Sequence, residues 1–456
     1  MNEQSQKRAV LTVSVITSFL TAFLGSSVNV ALPSIEKEFH ITAVSLAWIS
    51  SSYLLATAAF LLPLGRLSDL IGRKKTFQIG LIIFSFFSFS CGFAPNVQIL
   101  IILRILQGLG AAMIFSTSNA IITSVFPQGE RGRAMGLAVT GVYLGLTLGP
   151  LLGGIITHNA GWRTIFFLNL PVGIFLSYLT YTKLPGEWAE AKGEKFDLLG
   201  SLLYAIGLVL LMVGFSKIQT HYGKIFSIIS IILLVVFVFV ENKIDHPVLN
   251  INLFAKNLTF AFSNLAALIN YSATFAISFL LSLYLQYIKG LSAQSAGFIL
   301  AIQPVVQATF SSFAGKLSDR IEPRFVASFG MLLTALGLFA LSFISFNTNF
   351  IYIFFSQILL GLGFAFFSSP NTNAIMSSVD KRFLGVASAT VGTMRLIGQT
   401  ISIGIVTLFF SLHLGGTKIT SALYPNFLSI THILFAGFSI VCGLGIIASL
   451  ARGNIN

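Results

Sequence analysis

The chain has 456 residues, 55% of them hydrophobic and only 9% charged, with 45 Phe, a mean hydropathy of +0.89 and a net charge of +13. A soluble core cannot absorb that much apolar surface, and the cations are spread over many short loops, which excludes a nucleic-acid groove. Cys91 and Cys442, the only two cysteines, both lie in apolar segments, which points to neither a disulfide framework nor a metal site.

Apolar stretches of about 18 to 25 residues, the length that crosses ~30 Å of hydrocarbon as a helix, recur along the whole chain. Fourteen spans are predicted, at 9–32, 44–64, 76–94, 98–123, 135–157, 164–182, 198–216, 224–241, 259–286, 294–314, 325–346, 350–376, 384–411 and 427–450. The expected fold is therefore an all-α polytopic membrane protein. The first span follows Lys7-Arg8, lacks a small-residue cleavage site and reads as a retained helix rather than a signal peptide. It ends Leu24-Gly25-Ser26-Ser27-Val28-Asn29-Val30-Ala31-Leu32-Pro33.

Between spans two and three stands Gly65-Arg66-Leu67-Ser68-Asp69-Leu70-Ile71-Gly72-Arg73-Lys74-Lys75, a polar turn dense in glycine and charge. Its glycines let helix ends approach, and Asp69 can face a helix N-terminus and nearby cations. Span four carries Arg104-x-x-Gln107-Gly108-x-Gly110, with an arginine about six residues in, a costly placement that points toward the protein interior. Span five reads Gly141, Gly145, Gly149-Pro150 and Gly153-Gly154: a smooth face four residues apart beside a proline that removes one helix hydrogen bond. Trp162 and Arg163 are expected to anchor the sixth span at the outer interface.

The polar stretch 183–197 and the charges of 241–246 flank spans seven and eight and are too short for a folded domain. Beyond them come Tyr284, Gln286 and Gln303-Pro304, then Gly315-Lys316-Leu317-Ser318-Asp319-Arg320, which repeats the earlier turn 250 residues on. Gln357-Ile-Leu-Leu-Gly361-Leu-Gly363 echoes the Arg104 segment, and Asn373 echoes Asn119, at offsets of 253 to 254. The two polar turns stand eight spans apart, whereas two six-helix halves would put them six apart. Two helices are thus inserted, giving residues 1–185 as a six-helix bundle, 186–250 as the inserted pair and 251–456 as a second bundle. Repeated halves enclosing a central site are the usual architecture of a secondary transporter.

The N-terminus, alternate loops and C-terminus hold 19 of the 27 Lys and Arg, which assigns both termini to the cytoplasm. Arg104 and Arg395 fall inside spans, Arg395 about eleven residues deep and near the midplane, ~16 Å from the cytoplasmic end. All fourteen acids fall in loops or at span ends. A carboxylate-free interior with two cations should not favour multiply cationic ligands; neutral, zwitterionic or anionic amphiphiles suit it better.

These segments resemble the major facilitator superfamily, in particular its fourteen-span drug:proton antiporter branch, over essentially the whole chain. The resemblance implies that Gly65, Asp69, Gly72 and Arg73, with Asp319 and Arg320 in the second copy, form a conformational latch. It further links Arg104 to proton coupling, makes Gly145, Gly149, Pro150, Gly153 and Gly154 the antiporter bend, and favours export. Arg395 stands as a coupling or substrate charge. Asn29, Gln107, Asn119, Tyr284, Gln286, Gln303, Asn371 and Asn373 are candidates for lining the cavity. One position departs from the branch: its span-one membrane aspartate is Leu24 here, leaving Asp69, His432 or a proton-carrying substrate to couple protons.

The expected function is proton-coupled export of amphiphilic drugs or metabolites from the cell membrane by alternating access. A dedicated exporter or flippase of an anionic lipid or metabolite is the alternative, and an intramembrane enzyme a remote one. The expected partners are the lipid bilayer, a small amphiphilic substrate and protons, with the protein a monomer and no nucleic acid bound. The six histidines are scattered and show no metal-ligand spacing, so no metal or other cofactor is expected, and no phosphate loop is present.

Overall fold

The computed structural model describes residues 3–453 except 185, 190, 245–246, 250, 319, 380–383 and 415–416. Among the described residues the chain forms helices and their connections, with no strand. In order these are α1 (Glu3–Phe39), α2 (Ala43–Ile71), α3 (Arg73–Cys91), α4 (Val97–Val125), α5 (Gln128–Ala160), α6 (Arg163–Phe167), α7 (Asn169–Lys183), α8 (Leu198–Ser216) and α9 (His221–Glu241). There follow α10 (Ile251–Lys256), α11 (Leu258–Thr274), α12 (Ala276–Leu283), a π-helical turn Tyr284–Ile288, α13 (Ala293–Ser318), α14 (Pro323–Leu341), α15 (Phe350–Ser377), α16 (Leu384–His413) and α17 (Tyr424–Leu450).

Among the described residues thirteen helical stretches, counting α6 with α7 and α11 through the π turn as one each, are long and apolar enough to cross a membrane. The remaining long helix, α3, opens on Arg73-Lys74-Lys75. Short polar side chains start several of them: Asn96, Asp197, Thr220, Asn257 and Asn349 each accept a hydrogen bond from a backbone N–H in the first turn. That satisfies donors which the hydrocarbon could not.

The chain divides into two compact units. One comprises Met1–Ala22, Trp48–Val142 and Arg163–Asn252; the other comprises Phe23–Ala47, Tyr143–Trp162 and Leu253–Asn456. The second halves of α1 and α5 are thus built into the second unit. The pair α8–α9 sits in the first, where Tyr204 donates to the Ala58 carbonyl of α2 at 2.9 Å and the Trp48 indole to Ser216 Oγ at 2.8 Å.

Each unit repeats the same glycine contacts. In the first, a Cβ on Gly108 would stand 2.5 Å from the Tyr53 carbonyl oxygen, and one on Gly110 2.5 Å from the Phe84 nitrogen. In the second, Gly361 meets the Gln303 carbonyl oxygen at 2.6 Å and Gly363 the Thr334 nitrogen at 2.7 Å. Ser68 and Ser318 each donate to the carbonyl three residues back, Gly65 and Gly315, at 2.7 Å. The duplication read from two polar turns is therefore also a duplication of helix-packing geometry, because close approach of lipid-embedded helices needs small residues at the crossing points.

Candidate functional site

Three polar constellations stand in the apolar scaffold. The first is the turn between α2 and α3. Arg73 is buried and its Nε donates to Asp69 Oδ1 at 2.8 Å, four residues back, while its Nη1 donates to Ser124 Oγ at 3.0 Å. Gly72 has φ +119°, a conformation open to glycine but strained for any side chain, and a Cβ there would strike the Glu187 carboxylate. Glu187 caps the start of α3, accepting from the N–H groups of Lys74 at 2.8 Å and Lys75 at 3.0 Å. The same segment supplies Glu194 to Arg66 at 2.5 Å and the Ala191 N–H to the Asp69 carbonyl at 3.0 Å.

Glu187, Trp188, Ala191 and Glu194, part of what reads in sequence as a polar stretch, thus clamp the Asp69 turn. The carboxylates could have flagged the clamp, since an acid near a helix N-terminus is stabilised there. In the second copy Asp319 lies outside the described residues, and Arg320 is exposed.

The second constellation is Arg104, 1% exposed, in the interior of the first unit. Its Nε donates to the Ile49 carbonyl at 3.2 Å and its Nη1 to Gln107 Oε1 at 2.8 Å, and the guanidinium lies over the Tyr53 ring at 4.4 Å. These partners are a carbonyl, an amide and an aromatic face, none of them an acid. The side chain does not snorkel; it crosses to α2.

The third lies in the second unit around Tyr143, the first residue of α5 to belong there. Its hydroxyl and Ser368 Oγ are 2.9 Å apart, Gln307 also hydrogen-bonds it, and Tyr271 and Arg395 act on it electrostatically. Arg395 is half-buried, twelfth in the thirty residues of α16. One turn on, Gly398 has no side chain, and a Cβ there would come 2.8 Å from the Leu268 carbonyl oxygen and 2.9 Å from Tyr271 Cβ, so α16 presses against α11 on that side. Arg395 forms no hydrogen bond or ion pair among the described residues. Sequence reasoning singled out Arg395 but missed Tyr143, Tyr271, Gln307 and Ser368, which are ordinary polar residues until four helices bring them together.

The bend glycines of α5 have defined neighbours. Ser26 Oγ donates to the Gly145 carbonyl at 3.3 Å and stands where a Gly149 Cβ would be. Gly153 faces Ser27, while Gly154 lies against the Ala293 carbonyl oxygen, 2.5 Å from where its Cβ would be. Gly297 of α13 sits on the Pro150 carbonyl oxygen. Leu24, at the position of the branch aspartate, is fully buried.

The cavity candidates are distributed among structural duties. Tyr284 donates to the Ser345 carbonyl at 2.7 Å, Gln286 to the Val30 carbonyl at 2.9 Å, and the Asn29 carbonyl accepts from Ser282 at 2.8 Å. Gln107 holds Arg104, and Asn373 donates to Ser318 Oγ at 3.2 Å. Asn119 and Gln303 are half-buried in α4 and α13.

Asn371 is 2% exposed and accepts from Arg452 Nη1 at 2.9 Å. Arg452, one of the cations that the loop count places on the cytoplasmic side, is fully buried. It also donates to the Ser449 carbonyl at 2.7 Å and Ser263 Oγ at 3.2 Å. Burial first, and the nearby Arg324 second, pull its guanidinium down to about 10. Trp162 is likewise not an interface anchor: it is 3% exposed, and its indole donates to Glu38 at 2.8 Å beside the Phe39 ring.

A family model described as Major Facilitator Superfamily matches residues 14–240 and 263–453. The riboflavin transporter RibZ of Clostridioides difficile (strain 630) is 29% identical, over 89% of this chain and 88% of its own length. The multidrug resistance protein Stp of Mycobacterium tuberculosis (strain CDC 1551 / Oshkosh) is 30% identical, over 85% of this chain and 72% of its own. In fold, the chain is similar to the crystal structure of a bacterial homologue of the human lysosomal transporter Spinster, in an inward-facing and occupied conformation. That likeness has a TM-score of 0.66 at 16% identity and covers 98% of this chain and 97% of the other.

Proposed function

Because the chain belongs to the major facilitator superfamily, we propose that it exports neutral to anionic amphiphilic small molecules, drugs or metabolites, across the cell membrane by alternating access. Both termini face the cytoplasm on the charge distribution of the loops, the working unit is a monomer, and a proton gradient drives transport. The relatives named for riboflavin and for multidrug resistance support a substrate range of organic, ring-bearing compounds.

The observation that carries the substrate class is Arg395: a half-buried guanidinium midway along a helix, without an acid partner, beside Tyr143, Tyr271 and Gln307. A cation in that position favours a ligand that brings negative charge or a strong acceptor, and the tyrosines offer flat apolar faces. The same cation favours the narrower reading of a dedicated exporter of an anionic metabolite or lipid.

Uptake into everted membrane vesicles with matched neutral and anionic substrates tests it. Arg395→Gln is expected to lower transport of anionic compounds at least tenfold while neutral ones keep most of their rate. Equal loss of both, or no loss, would remove Arg395 from substrate selection.

A further inference from the structure

The buried acids of the α8–α9 hairpin have no part in the transport reading. Asp197 precedes α8 and Glu241 ends α9, so both stand at the same end of the hairpin, 7% and 2% exposed. One oxygen of each is accounted for. Asp197 Oδ1 accepts the Gly200 N–H at 2.8 Å, and Glu241 Oε2 accepts the Leu249 N–H at 2.8 Å.

The other two, Asp197 Oδ2 and Glu241 Oε1, are buried and receive no donor from the described residues. Both converge on the point where a side chain at Gly200 would begin, so glycine at this position is what lets them meet. Asp197 and Glu241 are within hydrogen-bonding reach of each other, and besides Asp197 the groups acting on Glu241 are the N–H groups of Leu249 and Val248. Asp245 and His246, in the same connecting segment, lie outside the described residues.

Two buried carboxylates that face each other cannot both remain ionised without a counter-charge. A metal ion would need more ligands, and no group of three or more His, Cys, Asp or Glu capable of holding one occurs among the described residues. A single proton satisfies both bare oxygens at once, one carboxyl donating to the other, as in other carboxylate pairs that share one proton.

We propose that Asp197 and Glu241 bind one proton between them at neutral pH, making this end of the inserted hairpin a proton site outside the transport pathway. Taken up from bulk water, the proton ties the start of α8 to the end of α9. Its loss leaves two like charges side by side and loosens that end, together with the Val248–Leu249 segment that Glu241 holds. The native state then binds a proton that the unfolded chain, with ordinary carboxylates, releases well below neutrality. Stability therefore falls as pH rises through the pair's titration.

The test uses the full-length protein purified in detergent. The infrared stretch of a protonated carboxyl, recorded at pH 7, is expected in the wild type and expected to lose one carboxyl's worth of intensity in both Glu241→Gln and Asp197→Asn. Each amide replaces the shared proton with an N–H donor, so the hairpin has no reason to unfold. In thermal unfolding the wild type should lose stability as pH rises from the ordinary carboxylate range to the pair's own titration and level off beyond it, and the amide variants should show a flatter profile. If one variant fails to fold, the other and the wild-type titration of the same band decide.

A band unchanged in the variants, or absent from the wild type at pH 7, would overturn the proposal. So would Mg²⁺ or Ca²⁺ raising the melting temperature of the wild type but not of Glu241→Gln, which would assign the pair to a metal.

Discussion

Arg104 is held in an apolar interior by bonds to neutral groups, and that decides what its removal would do. Arg104→Met deletes the donors to the Ile49 carbonyl and to Gln107 Oε1; the carbonyl keeps its helical partner within α2, and Gln107 Oε1 is left a buried acceptor at about 1–3 kcal/mol. The expected outcome is a clear drop in the detergent melting temperature together with lost transport. A variant with an unchanged melting temperature would mean that these bonds hold nothing together. The arginine was legible in the sequence, because a cation inside a span has to be accommodated. Its partners were not, since Ile49 contributes only a carbonyl and Tyr53 only a ring face, neither of which leaves a mark in the residue pattern. The reverse happened at Arg452, where a charge near a helix end reads as one more loop cation until its burial against Asn371 is seen.

Helix α5 works through what it lacks. Its glycines lie against Ser26, Ser27 and Ala293, and Gly297 of α13 rests on the Pro150 carbonyl. Backbone meets backbone at that last contact, so no side-chain rotation can relieve an added methyl group. Gly297→Val is accordingly expected to cost about 1–3 kcal/mol by overpacking and to cut transport at least tenfold. Gly437→Ala in α17, where a Cβ meets open space, should be neutral or stabilising by about 0.5–1 kcal/mol. Comparing the melting curves and transport rates of the two variants checks the contrast. The glycine periodicity announced a tightly packed helix; which helices it packs against depended on chain segments more than 100 residues away.

For the molecule as a whole, the proposed substrate choice and coupling rest on charge placement. With Leu24 where the branch carries an acid, and Arg104 and Arg395 each without an acid partner among the described residues, the proposed substrate range excludes dications. Purified protein in proteoliposomes, given an imposed pH gradient, should move a neutral substrate and discriminate against a bis-quaternary dye. Preference for the dye would sink the charge argument, and no movement under the gradient would sink proton coupling.

Membrane residence, the all-helical fold, the duplicated polar turn and the family resemblance could all be read along the chain. They follow from local quantities: the apolar length that crosses a bilayer, and short motifs repeated at a constant offset. The clamp of Glu187, Ala191 and Glu194 on the Asp69 turn, the Tyr143–Arg395 cluster and the facing carboxylates of Asp197 and Glu241 required the folded structure. Each depends on which faces of distant helices meet, and in hydrocarbon that choice is made by close packing and by the pairing of polar groups. Hydropathy, which sums along a span whichever face a residue is on, carries no record of it.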